Sequence, residues 1–170
     1  MRWMPLYVIL ILSFVNGIYI LNNIKEFTRR RMALVSLAYV TFLGMILFTP
    51  MSFDGTGVYI MPAGIGQVNL HHINYDLGFV ENIVLTMPLG FLIKQAFSNI
   101  SLSSMIPIGL MTGAGIETMQ YYLSHVFLIN RTSDISDVVA NGIGIVIGAV
   151  LLLVYQYVFE KKSKSIWQEI

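Results

Sequence analysis

A group of polar side chains that could do chemistry lies in the second half of this sequence, within an otherwise apolar region. Glu117 and Gln120 are three positions apart, so in a helix they point from the same face. Asp134, Asp137 and Asn141 follow at spacings of three and four, which places them on one stripe of a second helix. Charged groups are costly in hydrocarbon and usually mark a functional site or a buried pair.

The residue types indicate what this group could do. Glu117 could act as a general acid or base, Arg131 could stabilise developing negative charge, and Asp137 could orient a nucleophile. These three are the catalytic candidates. Arginine also suits phosphate or carboxylate binding, and amides suit hydroxyl groups. The candidate ligand-binding residues are Asn82, Gln120, Arg131, Asp134 and Asn141.

Each candidate also has a structural interpretation. Arg131 could form a buried ion pair with a nearby acidic residue. Glu117 and Gln120 could form a polar clamp between helices. Asp134 could cap the helix that follows it. The Gly144–Gly148 pair that continues the Asn141 stripe is a GxxxG pattern, which predicts plain helix packing.

No metal site or cofactor is predicted. His125 could join Glu117, Asp134 and Asp137 as ligands, but no spacing fixes two imidazoles on one face. The neighbouring side chains of His71 and His72 would point apart in a strand or a helix. Cysteine is absent, which excludes disulfides and thiolate chemistry.

The composition predicts an all-α, polytopic membrane helix bundle. The 170 residues are 56% hydrophobic and 11% charged, whereas soluble domains are about 25% charged. A net charge of +1 does not favour a nucleic-acid partner. Membrane lipids are the partner that this composition indicates.

About five transmembrane helices are predicted from the apolar runs, with the N-terminus outside and the C-terminus inside. The first run could instead be a signal peptide, but no cleavage site follows it, which favours a retained span. Of the ten Lys and Arg residues, only Arg2 and Arg131 then lie outside. The predicted spans within the single domain 1–170 are 5–21, 32–49, 82–97, 104–123 and 134–159.

A long connection, 51–80, contains no Lys or Arg and is predicted to be external. Its high apolar content predicts that part of it lies against the membrane surface or folds back over the bundle. The same topology places the polar group in the outer half of the membrane, although its members come from three spans. This common location favours one coupled site that includes Glu117, Arg131 and Asp137.

Three ordered segments resemble the VanZ-like family of bacterial integral membrane proteins. They are ENIVLTMPLGF, then GIETMQ, then NRTSDISDVVANGIGIVIG, and together they cover about residues 81–148. In the external connection, His71 and His72 stand where the family has a Pro-Phe pair. The resemblance implies a multi-pass protein of the bacterial cytoplasmic membrane and a link to resistance to the glycopeptide antibiotic teicoplanin. It does not supply a reaction.

Three classes of function remain open at this point. The first is a protein that binds a lipid-linked envelope precursor or an amphiphilic glycopeptide in an outer-leaflet polar pocket. The second is a hydrolase or transferase that acts on a lipid-linked cell-wall or polysaccharide precursor. The third is a structural or assembly factor in which the polar group only locks the helices together.

Overall fold

The computed structural model describes the backbone of residues 1–53 and 56–168 and the side chains of residues 1–53 and 56–159. Asp54, in the external connection, lies outside the described residues. Five helices and four short strands form in the described part. In chain order they are α1 (Met4–Asn23), α2 (Phe27–Phe48), β1 (Met51–Phe53), β2 (Val58–Ile60), β3 (Val68–Asn69), α3 (Leu77–Ala96), α4 (Leu102–Phe127), β4 (Ser133–Asp134) and α5 (Ile135–Gln168).

Within the described ranges, four helices are long and apolar enough to cross a membrane: α1, α2, α3 and the Ile135–Phe159 part of α5. Helix α4 has 26 residues, which at about 1.5 Å per residue also exceeds the thickness of the hydrocarbon layer. It contains the polar residues Glu117, Gln120 and His125. The all-α membrane fold class is therefore confirmed.

The helices extend beyond the apolar runs that predicted them. Helix α2 begins at Phe27 and includes the basic residues Arg29 to Arg31, which precede the predicted span 32–49. Backbone hydrogen bonding continues into the head-group region, so a helix is longer than its hydrocarbon segment. Helix α3 begins at Leu77, where the Asp76 carboxylate accepts a hydrogen bond of 3.0 Å from the Phe79 N–H.

The chain divides into two compact units. Unit 1 contains Met1–His71 and Gly115–Asp134, and unit 2 contains His72–Ala114 and the chain from Ile135 onward. In unit 1, α1 and α2 pack through a hydrogen bond of 2.6 Å between the hydroxyls of Ser13 and Thr41. The residues after Phe48 form the β1–β2 hairpin, and β3 pairs in parallel with β4.

Unit 2 is built on the contact between α3 and α5. A Cβ atom at Gly144 would lie 2.4 Å from the Ile83 carbonyl oxygen, and one at Gly148 would lie 1.8 Å from the Met87 carbonyl oxygen. The two helices are therefore parallel and in backbone contact, which confirms the packing role of the GxxxG pattern. The core of unit 2 includes Met105 of α4 together with Ile145 and Ala149 of α5, and all three are buried.

The membrane orientation predicted from the loop charges can be tested with single cysteines, because the chain has none of its own. A Cβ atom at Gly57 meets no heavy atom within 4 Å, so Gly57→Cys is sterically accepted. We expect Gly57→Cys to react with an impermeant maleimide in intact cells, and Thr28→Cys to react only after permeabilisation. The reverse labelling pattern would show that the N-terminus is inside.

Candidate functional site

The polar residues of α4 form one stripe that continues beyond the two predicted positions. Glu117, Gln120 and Ser124 follow at spacings of three and four, and all three are buried. Ser124 was missed by sequence reasoning, although its position on the stripe could have indicated it. In unit 1 this stripe meets the end of α2 and the segment that follows α4.

Gln120 of the stripe and Arg131 donate hydrogen bonds to carbonyl groups in the last turn of α2. The final carbonyls of a helix have no partner within the helix. Here the Thr49 hydroxyl donates to the Met45 carbonyl at 2.6 Å, and the Gln120 amide donates to the Leu47 carbonyl at 3.0 Å. The Arg131 guanidinium donates to the Ile46 carbonyl between them. Gln120 and Arg131 together therefore cap α2, and the positive charge lies at the negative end of its dipole.

Arg131 also holds the chain that leaves α2. Its guanidinium donates to the carbonyl of Thr49 at 3.3 Å, to the Ser52 hydroxyl at 3.4 Å and to the Met51 carbonyl. Its own backbone N–H donates to the Ser124 hydroxyl at 2.8 Å. The planar fork of arginine suits several acceptors at fixed angles. These four guanidinium hydrogen bonds, to Ile46, Thr49, Met51 and Ser52, all go to neutral groups of the protein.

Glu117 and Asp134 belong to a second network in unit 1. A Glu117 carboxylate oxygen accepts the Asp134 N–H at 2.9 Å, and the Ser133 hydroxyl donates to the Glu117 carbonyl at 3.0 Å. The Asn69 amide in turn donates to both oxygens of the Asp134 carboxylate at 3.0 Å. Asn69 was not predicted as a site residue, because its partner lies 65 positions away in sequence.

Gly66 permits this close approach of the external connection. It has a φ of +73°, and a Cβ atom there would lie 1.9 Å from the Arg131 carbonyl oxygen. Only glycine has both the conformation and the space that this position requires. The Asn130 side chain reinforces the contact by accepting the Gly66 N–H at 3.1 Å.

Asn141, in unit 2, is in a different situation. Its side chain is 0% exposed. Within the part of the chain that the structure describes, neither its amide nitrogen nor its amide oxygen has a hydrogen-bond partner. Thr86 donates to the backbone carbonyl of Asn141 at 3.2 Å, and Gly113 of α4 faces its Cβ atom. The carboxamide is therefore enclosed where three helices of unit 2 meet.

Glu81 shares this feature and was passed over by sequence reasoning. One of its carboxylate oxygens is buried and lacks a hydrogen-bond partner among the described residues. Glu81 directly precedes Asn82 on α3, and the Asn82 carbonyl accepts the Thr86 hydroxyl at 2.7 Å. Glu81 therefore lies within about 8 Å of Thr86 along the helix axis. Asn82 and Asp137 are both partly buried in unit 2.

A comparison with family profiles identifies the chain. The VanZ/LLP1 profile matches residues 5–156. The chain belongs to the VanZ/LLP1 family. Comparison with curated proteins and with solved structures gave no match. Together with the four candidate spans, the family assignment makes this a VanZ-like membrane protein.

The segments that carry the VanZ resemblance now have structural positions. GIETMQ and the following arginine supply Glu117, Gln120 and Arg131, which hold the end of α2 and the chain before α5. NGIGIVIG supplies the glycines that contact α3, together with Asn141. The catalytic roles predicted for Glu117, Arg131 and Asp137 stay predictions, as does their coupling into one site.

Proposed function

We propose that this protein binds the polar head of a lipid-linked or amphiphilic ligand in the bacterial cytoplasmic membrane, and that Asn141 is the central binding residue. The observation that carries the proposal is the enclosed carboxamide without a partner. A carboxamide can donate two hydrogen bonds and accept two, and leaving such a group buried and unsatisfied costs about 1–3 kcal/mol. A ligand that supplies the missing bonds would recover this free energy.

The position of Asn141 supports an amphiphilic ligand. It is the seventh residue of α5, so it lies about 9 Å along a helix that is a candidate membrane span. A ligand that reaches this depth needs an apolar part that is stable in hydrocarbon and a polar part that can meet the amide. Lipid-linked cell-wall precursors and the acylated glycopeptide teicoplanin both have this character, in agreement with the association that the VanZ resemblance implies.

The buried Glu81 oxygen in unit 2 supports a head group that donates hydrogen bonds. The buried Glu81 oxygen is an acceptor when the carboxylate is ionised. In unit 1, the Arg131 donors are directed at backbone carbonyls. Hydroxyl, amide or amine groups of the ligand therefore suit Asn141 and Glu81, and phosphate binding by Arg131, the role predicted from the sequence, is not part of this proposal.

The substitution Asn141→Leu tests the proposal, since leucine has the same number and branching of side-chain heavy atoms and no polar atoms. We expect the amphiphile that co-purifies in polymer nanodiscs to fall at least tenfold in occupancy by native mass spectrometry. The thermal midpoint of the delipidated protein should stay the same or rise, because an unsatisfied amide is removed. Asn16→Leu is the matched control: Asn16 is exposed on α1 and donates to the Leu12 carbonyl.

Two results would count against binding at Asn141. The first is an unchanged set of bound amphiphiles in Asn141→Leu. The second is a lower thermal midpoint in the delipidated Asn141→Leu protein, because this would show that the amide stabilises the fold without any ligand.

A further inference from the structure

The β1–β2 hairpin of unit 1 has one apolar face. Its antiparallel register pairs Met51 with Ile60, Ser52 with Tyr59 and Phe53 with Val58. Directly opposed residues point to the same side of a two-stranded sheet, and successive residues alternate. Met51, Phe53, Val58 and Ile60 therefore form one side, the apolar hairpin face, and Ser52 and Tyr59 form the other.

Three of the four side chains of the apolar hairpin face are exposed among the described residues, and Met51 is partly buried. The exposed fractions are 43% for Phe53, 67% for Val58 and 62% for Ile60. The connection that follows continues this character with exposed apolar side chains at Ile65, Val68 and Leu70. Exposed apolar side chains grouped in one segment are typical of an interaction site.

The hairpin is held in this orientation by polar contacts. The Met61 N–H donates to the Pro50 carbonyl at 2.8 Å, next to the register pairs. Arg131 donates to the Ser52 hydroxyl on the opposite side, and Arg2 donates to the Met61 carbonyl. An isolated two-stranded hairpin has marginal stability in water. These contacts hold Ser52 and the end of the hairpin against the protein, while Tyr59, Phe53, Val58 and Ile60 stay exposed.

We propose that the apolar hairpin face lies in the head-group and upper acyl layer of the bilayer leaflet at which α2 ends. The hairpin begins three residues after Phe48, the last residue of α2, so it starts at the membrane boundary of a candidate span. Residues 58–70 contain no charged side chain, so no ion is dehydrated when they enter this layer. Tyr59 is an amphipathic aromatic residue of the type enriched at this depth.

The backbone limits the depth of insertion. A two-stranded hairpin has open edges with unpaired N–H and C=O groups, and these cannot enter the hydrocarbon core. Interfacial segments place their apolar side about 5–10 Å into the boundary between head groups and acyl chains. The lipid layer therefore covers the apolar side chains, while water and head groups form hydrogen bonds with the unpaired N–H and C=O groups at the strand edges. This surface is independent of the ligand site proposed at Asn141.

Spin labelling tests the proposal in the full-length protein in liposomes of phosphatidylglycerol and phosphatidylethanolamine. A nitroxide is attached to Ile60→Cys or to Val58→Cys, and its collisions with oxygen and with a water-soluble nickel chelate give its depth. Val40→Cys, at an exposed position near the middle of the predicted span 32–49, is the deep reference, and Thr28→Cys, near the start of α2, is the shallow reference. We expect both hairpin labels to lie about 5–10 Å below the phosphates.

Three other outcomes would overturn the proposal. A label at Ile60 that is fully accessible to the nickel chelate would place the face in water. A label accessible to neither reagent would show that protein covers the face, and spin–spin broadening would then identify a second copy of the chain as the cover. A label as deep as the one at Val40 would place the hairpin in the hydrocarbon core.

Discussion

Arg131→Met is expected to lower the free energy of unfolding by about 3–5 kcal/mol, because each buried carbonyl left without a donor costs about 1–3 kcal/mol. The guanidinium donates to the carbonyls of Ile46, Thr49 and Met51. Thr49 is fully buried, so water cannot replace the lost donor there. Arg131→Lys should fall between Arg131→Met and the wild type, because one ammonium group cannot reproduce the planar fork. Unfolding by sodium dodecyl sulfate in mixed micelles measures the difference.

Arg29→Met is the matched control for this experiment. Arg29 is on α2, the helix that Arg131 caps. Its side chain is 79% exposed, and it forms an ion pair of 2.7 Å with Glu26. Exposed ion pairs contribute about 0–1 kcal/mol, so the control should stay close to the wild type. If Arg131→Met were as stable as Arg29→Met but lost the co-purified amphiphile, Arg131 would be a ligand-binding residue, as the sequence alone predicted.

Gly148→Ala is expected to destabilise unit 2 by about 3 kcal/mol or more, since overpacking against rigid atoms is costly. The added Cβ atom would lie 1.8 Å from the Met87 carbonyl oxygen and 2.7 Å from the Phe91 nitrogen. Both are backbone atoms of α3, so no side chain can rotate away, and α3 and α5 would have to separate. The same detergent titration measures the loss.

Gly115→Ala is the matched control. It makes the same chemical change as Gly148→Ala, but we expect no loss of stability. Gly115 is inside α4, and a Cβ atom there meets no heavy atom within 4 Å. Alanine favours helix over glycine by about 1 kcal/mol, so this variant should be as stable as the wild type or more stable. Equal stability of Gly148→Ala and Gly115→Ala would contradict the backbone contact between α3 and α5.

Much of the fold could be predicted from the sequence because it depends on local patterns. Apolar runs of sufficient length predicted the helices, and the spacing of Gly144 and Gly148 predicted a packed stripe on α5. The spacing of Glu117 and Gln120 predicted one polar face on α4. The helix boundaries differ from the predicted span boundaries, as at Phe27, because helical backbone hydrogen bonds continue beyond the hydrocarbon layer.

The tertiary structure alone decided which polar side chains have their hydrogen bonds supplied within the chain. Gln120 meets a carbonyl 73 positions away, and Arg131 meets one 85 positions away. A sequence does not distinguish an arginine that binds a phosphate from one that caps a helix. The two roles can be told apart only when the acceptors of the guanidinium are located. The buried carboxamide of Asn141 without a partner follows from three helices meeting, and residue type and spacing do not encode that burial.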